Sequence, residues 1–508
     1  MVASSERSAP AQAVRVLVTG GGTGGHTYPA VAAVRAVRSR LAGEGRELAV
    51  LWAGAGGSLE SRVAASEGIA FAPVATGKLR RARNPLRMLS LANVRDLARV
   101  PVGFVQARAV VRGFAPDVVL ATGGYVVVPV GLAAWSYRRP LVVHEQTVRL
   151  GLANRLLARA ATAVAVSSES TLPLLPGPAR RSAAVTGNPV RAEVLRGRAG
   201  AAVRALGWQI DPSLPVVYVT GGAQGSVQIN ELISGILPWL VTRANVIHQC
   251  GAVAADGLRD RGGSLPSGLG ARYFVTGFVG AELPDVLALA DVVVSRSGAG
   301  TIAELTALGK AAVLVPLATA AGDEQRHNAR HLTQHGAAVA LLDAVTPEAL
   351  RETLDPLLAD PGLRAKLAAN ARMLGRPDAA ERLADVVLAA AAPPSRSRPQ
   401  HARLPELPGS GLDHRRAGIE DAVCASERVR YILVIEVQAE IRVRVAPGHL
   451  PQGVQDLAVH GQHDAGPGQQ FAVDLPAAVA CQVVPDPGGC RDHGGVGGLA
   501  GVLCCQSG

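Results

Sequence analysis

The densest chemistry in the chain lies at Gly20-Gly21-Gly22-Thr23-Gly24-Gly25-His26, between an apolar run from Val14 and a helix-forming stretch. Glycines at a strand–helix junction let the free amides of a helix N-terminus approach an anion such as pyrophosphate. The cluster contains G-x-G-x-x-G, for which a dinucleotide site is the first reading. That reading also requires a carboxylate at the end of the next strand to hold a ribose. Here the strand ends Trp52-Ala53-Gly54, which disfavours nicotinamide chemistry. His26 closes the cluster with an imidazole that titrates near neutrality. It is suited to taking a proton from a hydroxyl, or to holding a phosphate by hydrogen bonding alone.

A second cluster, Thr220-Gly221-Gly222-Ala223-Gln224-Gly225-Ser226, occupies the equivalent place later in the chain. A third, Ser295-Arg296-Ser297-Gly298-Ala299-Gly300-Thr301, precedes a helix carrying Glu304 in its first turn. Glu304 either compensates the helix dipole or accepts both hydroxyls of a ribose. Glycine loops on the C-terminal edges of two sheets, with a carboxylate beside one of them, suggest a nucleotide-diphosphate compound held between two domains.

The elements that must position these groups follow from the apolar runs. VRVLVTG from Val14, ELAVLWAG from Glu47, PDVVLATG from Pro116, PLVVHEQ from Pro140 and TAVAVSS from Thr162 alternate with amphipathic stretches. The pattern restarts with VVYVTGG after Pro215 and continues through NVIHQCG, ARYFVTGF, DVVVSRSG and AAVLVPLA. Continuous apolar runs bounded by glycine indicate parallel strands buried on both faces. The expected fold class is therefore α/β, with two doubly wound halves at 14–190 and 215–392. A linker at 191–214 joins them, and the helical region Pro347–Ala391 is expected to close the second half. Residues 1–13 read as a flexible N-terminus and 393–508 as a disordered or non-native tail, because no sustained periodicity supplies a core there.

Composition narrows the classes. The 508 residues are 48% apolar, enough for a large core, but only 3% aromatic. The net charge of +11 suits an anionic substrate or membrane surface. Without aromatics interleaved among the basic residues, a nucleic-acid stacking surface is the weaker option, and no nucleic-acid partner is expected. The polar start lacks an apolar h-region, and the uncharged stretch 118–137 is broken by Gly123-Gly124 and Pro129, so a cytoplasmic protein is expected. Cys250 reads as a small core residue, and no cysteine spacing resembles a zinc site.

Seven motifs in register resemble the MurG family of glycosyltransferases. They are GGGTGGHTYPA from Gly20, ATGGYVVVPVGLAAW from Ala121, HEQT from His144 with GLANR from Gly151, TGNPVR from Thr186, GGAQG from Gly221, SRSGAGTIAEL from Ser295 and DEQRHNA from Asp323. The resemblance covers about Val14 to Ala391. It implies a GT-B fold and inverting transfer of N-acetylglucosamine from UDP-N-acetylglucosamine to lipid I, giving lipid II, without a metal or other cofactor. By that likeness Phe278 and Val279 flank the uracil, Glu304 holds the ribose, and Gly222, Ala223 and Gln224 approach the phosphates. Gly300, Thr301, Gln325 and Thr147 complete the UDP-sugar site, with Thr23, Gly24, Gly25 and Arg191 facing it. Gly22, His26, Tyr125, His144 and Glu145 would line the acceptor side, with His26 or Glu145 as the base. Arg80, Arg81, Arg83, Leu86 and Arg87 would meet anionic lipids on the cytoplasmic face of the membrane, where cell-wall synthesis proteins are further possible partners.

Several positions depart from the family pattern. Thr147 stands where HEQN has asparagine, Ala223 where GGSQG has serine, and Glu324 where histidine is more usual. A changed hydrogen-bonding group can alter sugar choice strongly. A glycosyltransferase with another acceptor, and a UDP-sugar-binding scaffold without turnover, therefore stand as alternatives.

Overall fold

Both sets of apolar runs form all-parallel sheets. In the computed structural model residues 13–77 and 91–392 are described, with only the backbone at 91–98 and 321. The basic segment 80–87, the N-terminal residues 1–12 and the tail 393–508 lie outside the described residues. The first sheet comprises β1 (Val14–Thr19), β2 (Leu48–Gly54), β3 (Ala70–Pro73), β4 (Val118–Ala121), β5 (Leu141–Glu145), β6 (Ala163–Val166) and β7 (Ala183–Val185). Its order is β3-β2-β1-β4-β5-β6-β7. The second sheet comprises β8 (Val216–Thr220), β9 (Asn245–Gln249), β10 (Tyr273–Thr276), β11 (Val292–Ser295), β12 (Ala311–Leu314) and β13 (Val339–Ala340). Its order is β10-β9-β8-β11-β12-β13.

In each sheet the order reverses beside the first strand. β1 pairs with both β2 and β4, and β8 with both β9 and β11. Connections leaving such neighbours in opposite directions open a crevice at the strands' C-terminal ends. The glycine clusters after β1, β8 and β11 therefore sit at the two crevices.

Each sheet is covered on both faces. Val16, Val18, Val34 and Leu120 pack on one side of the first, and Leu17, Val119, Val130 and Leu157 on the other. In the second, Val217, Ile233 and Leu354 lie opposite Tyr218, Val293 and Leu305. Small aliphatic residues fill these cores because parallel strands leave no solvated face.

Two expected boundaries are corrected. The linker 191–214 is folded onto the second half: Val194, Ala202 and Trp208 are buried in the core beneath β8 and β11. The C-terminal helix Ala379–Ala391 does not close the second half. Its Leu383, Ala384 and Val387 are buried against the first sheet, and Asp385 pairs with Arg40 at 2.8 Å. An amphipathic helix buries its stripe on whichever sheet offers an uncovered apolar face, which helical periodicity does not reveal. The chain thus crosses twice between the halves. Gly187 (φ +84°) lies against the return crossing, since a Cβ there would fall 2.5 Å from the Cβ of Arg376.

No helix among the described residues is long and apolar enough to cross a membrane.

Candidate active site

The loop after β1 is held from below. Gly123 and Gly124, after β4, adopt φ +107° and +86°. A Cβ at Gly123 would stand 2.8 Å from His26 Nδ1, and one at Gly124 would stand 2.2 Å from the Gly21 carbonyl oxygen. Only glycine allows this approach and this backbone region together. His26 Nδ1 lies 3.0 Å from the Thr122 carbonyl oxygen and 3.1 Å from Gln146 Oε1. Thr23 caps the helix Gly24–Gly43 with extended backbone, but its hydroxyl makes no capping bond. Gly25 is exposed and Gly24 partly so. Gly22 differs from expectation, because its amide donates to the buried Glu60 carboxylate at 3.1 Å. Glu60 therefore shapes the loop, and the Gly22 N–H already has an acceptor.

The end of β5 carries three of the expected site residues, each held by neighbours within the fold. Glu145, at 2% exposure, accepts from Thr147 N (3.1 Å), Thr147 Oγ1 (2.8 Å), Gly151 N (2.9 Å) and Asn154 Nδ2 (3.0 Å). All of these contacts come from residues 147–154, so the carboxylate clamps the loop that follows β5. The Thr147 hydroxyl lies within hydrogen-bond reach of Glu145 Oε1 and of the Arg149 carbonyl oxygen, one of which takes its single hydrogen. His144 does not line the cleft. It is fully buried, contacts the Gly187 carbonyl oxygen at 3.0 Å, and burial pushes its imidazole down to about 4. Tyr125 stands partly exposed after β4, as expected of a cleft residue.

Across from these loops stands the helix Glu324–Gln334. Val148 N donates to Asn328 Oδ1 at 3.4 Å, and Arg149 Nη1 to His327 Nε2 at 2.8 Å. Burial pushes the Glu324 carboxyl up, while the His26 imidazole opposes that shift. Glu324 thus shares a local field with His26, a partnership absent from the sequence reading because 298 positions separate the two.

On the second sheet a cavity of about 500 Å³ is lined by Gly221, Gly222, Gly225, Ser226, Ser295, Arg296, Gly298, Thr301, Leu317 and Gln325. Two helices begin at its wall, Val227–Leu240 and Ala299–Leu308, placing two positive dipole ends there. Gly222 and Gly300 have open space where a Cβ would stand. Arg296 was missed as a site residue although its motif was noted. It donates to Ser226 Oγ (2.7 Å) and Gln228 Oε1 (2.8 Å), which fixes a guanidinium in the cavity wall. Its signal was a lone cation inside a glycine loop. Gln325 uses Oε1 to accept from Leu317 N at 3.0 Å. Ala223 and Gln224 are exposed at the loop tip and do not line this cavity.

Glu304 lies in the second turn of the helix Ala299–Leu308, beyond the first turn expected, and is paired with Arg191, the residue expected to face the UDP-sugar. Arg191 Nε and Nη2 both donate to Glu304 Oε1, at 2.9 and 2.7 Å. The guanidinium also lies 5.9 Å from the ring of Tyr28, on the helix that follows the first glycine cluster. Burial pushes the Glu304 carboxyl up, opposed by Arg191. Of the two residues expected to flank the uracil, Phe278 is 60% exposed. Val279 is buried in the core and its amide donates to Gln249 Oε1 at 2.9 Å.

Comparison with known proteins fits this layout. Glycosyltransferase family 28 N-terminal and C-terminal domain models match residues 16–166 and 216–383. A Listeria welshimeri protein is 34% identical over 377 residues, covering 74% of this chain and 99% of its own. It is named UDP-N-acetylglucosamine–N-acetylmuramyl-(pentapeptide) pyrophosphoryl-undecaprenol N-acetylglucosamine transferase. The chain belongs to the MurG family of glycosyltransferases. A Treponema pallidum family member of the same name is 35% identical over 328 residues, covering 64% of this chain and 82% of that protein. The crystal structure of Acinetobacter baumannii MurG shares the GT-B fold, with a TM-score of 0.57 at 24% identity, over 74% of this chain and 99% of that one. The N-terminal model takes in β1–β6 and the C-terminal model β8–β13, and the tail beyond 392 lies outside both matches.

Proposed function

We propose that this chain transfers N-acetylglucosamine from UDP-N-acetylglucosamine to undecaprenyl-diphosphate-linked N-acetylmuramyl-pentapeptide, with inversion at the anomeric carbon. The observation that carries the reading is the match to transferases of that name across 99% of a relative's length, taking in both glycine-lined crevices.

The acceptor hydroxyl attacks the anomeric carbon as the bond to UDP breaks, and His26 takes the hydroxyl's proton. Negative charge growing on the departing diphosphate meets the helix starts at Val227 and Ala299, with Arg296 in the same wall. These groups supply the stabilisation a divalent cation would otherwise give, so the reaction proceeds without a metal. The exposed ring of Phe278 offers a face to the uracil, and Glu304 its carboxylate to the ribose. The first half takes the lipid-linked acceptor, and the protein works peripherally on the cytoplasmic membrane face.

A second reading, a different sugar or acceptor, is favoured by Thr147, whose hydroxyl is committed to Glu145 where the family has an asparagine. The deciding experiment incubates the full chain with UDP-N-acetylglucosamine and a short-chain lipid I analogue, following UDP release and disaccharide formation. Transfer establishes the peptidoglycan reaction. UDP binding without transfer moves the assignment to another acceptor or sugar.

A further inference from the structure

We propose that Gln146 is a positioning residue that sets the tautomer of His26, relaying it from the buried histidine at the crossing between the two halves. The inference rests on the reading of His26 as the base and adds how its ring is prepared.

The assignment starts at the crossing. His144 Nε2 lies 3.0 Å from the Gly187 carbonyl oxygen, which can only accept, so Nε2 carries the hydrogen. Burial keeps this ring neutral, with its imidazole lowered to about 4, so Nδ1 is a bare lone pair. Gln146 Nε2 lies 3.1 Å from that Nδ1 and also contacts the Thr122 carbonyl oxygen. Both neighbours are acceptors, so the amide nitrogen of Gln146 must face them. Reversing the amide would set oxygen against two lone pairs. The amide oxygen is thereby turned to His26 Nδ1, 3.1 Å away.

His26 Nδ1 then meets two acceptors, Gln146 Oε1 and the Thr122 carbonyl oxygen at 3.0 Å. It must carry the hydrogen, which leaves Nε2 unprotonated and able to receive a proton. A neutral imidazole free to choose would place its hydrogen on Nε2 part of the time and be inactive then. The second-sphere group fixes the tautomer, as it does for histidine ligands of metals. The titratable groups facing His26 are His144 from β5 and Glu324 from the opposing helix. Gly187 is also where the chain crosses between halves, so the first link of the relay lies on the crossing itself.

The test labels the full-length protein with ¹⁵N-histidine and reads the His26 ring by NMR, assigned through a His26→Gln variant, beside pH profiles of kcat. The expected wild-type ring carries hydrogen on Nδ1 only. Gln146→Leu should lose that preference and lower kcat by roughly 10-fold or more, part of the 10²–10⁴ that a general base contributes. Its KM for UDP-N-acetylglucosamine should stay near wild type. Gln146→Glu, protonated where its second oxygen meets the Thr122 carbonyl and His144 Nδ1, keeps an acceptor at His26 Nδ1 and should retain the tautomer and more of kcat than Gln146→Leu. A wild-type ring with hydrogen on Nε2 overturns the relay, and needs no variant to fold. So does a Gln146→Glu variant whose His26 ring loses the Nδ1 hydrogen as Gln146→Leu does. Wild-type turnover by His26→Gln would overturn the base reading instead, while the ring tautomer still decides the relay.

Discussion

Arg191 donates twice to a single oxygen of Glu304, through Nε at 2.9 Å and Nη2 at 2.7 Å, tying the segment after β7 to the helix Ala299–Leu308. The two groups proposed to hold the donor's phosphate and ribose are therefore paired before the donor arrives. Under the proposed reaction, donor binding is expected to exchange this pair for contacts with the ligand. Glu304→Ala should weaken UDP binding by about 1–3 kcal/mol, the value of a hydrogen bond to a charged group. Arg191→Ala should weaken UDP binding but leave uridine binding equal or tighter, since Glu304 is then free for the ribose. Calorimetry with both ligands checks this. Equal weakening of both would remove Arg191 from the phosphate.

Glu145 and His26 separate by their partners. Glu145→Gln disturbs a loop clamp that receives four hydrogen bonds, so thermal stability should fall while the pH profile of kcat keeps its shape. His26→Gln should lower kcat by roughly 10²–10⁴ with little change in stability. A Glu145→Gln variant of normal stability with a lost pH limb would return Glu145 to the role of base.

Two buried histidines make stability fall in mild acid. His144 and His248 are both lowered by burial, each to about 4. The unfolded chain takes up their protons near pH 6.5, whereas the folded chain resists until about pH 4. Their stabilisation is complete above the unfolded value and is lost as pH falls through that window. Each contributes about 3 kcal/mol across it. Thermal unfolding at pH 7.5 and 5 should show a marked drop, reduced in a His144→Gln, His248→Gln double variant. An equal drop in that variant would assign the acid sensitivity elsewhere.

Transfer should continue in excess EDTA, because Arg296 and two helix starts line the cavity proposed to hold the departing diphosphate. Arg296→Ala should lower kcat more than donor affinity, as expected of charge stabilised in the transition state. Loss of activity in EDTA with recovery on adding magnesium would refute the metal-free mechanism.

Much of this protein was legible before any tertiary contact was known. Apolar runs of strand length, each ending in glycine, specify buried parallel strands and hence both sheets, since local composition and covalent geometry decide them. The same runs locate the glycine clusters at strand ends, so both crevices were readable. What was not legible depended on partners distant in the chain. The polar character of Glu145 and His144 invited a place in the cleft, yet burial and enclosing donors made one a clamp and the other a neutral link. Arg191 and Glu304, 113 positions apart, became partners only when the segment after β7 folded onto the second sheet. The helix Ala379–Ala391 shows its amphipathic stripe in sequence, but only the uncovered face of the first sheet decided where that stripe went. Sequence determined which elements form and where their loops emerge, because those preferences act over a few residues. Tertiary structure decided protonation, pairing and access, because desolvation and hydrogen bonding depend on whatever the fold brings within about 3 Å.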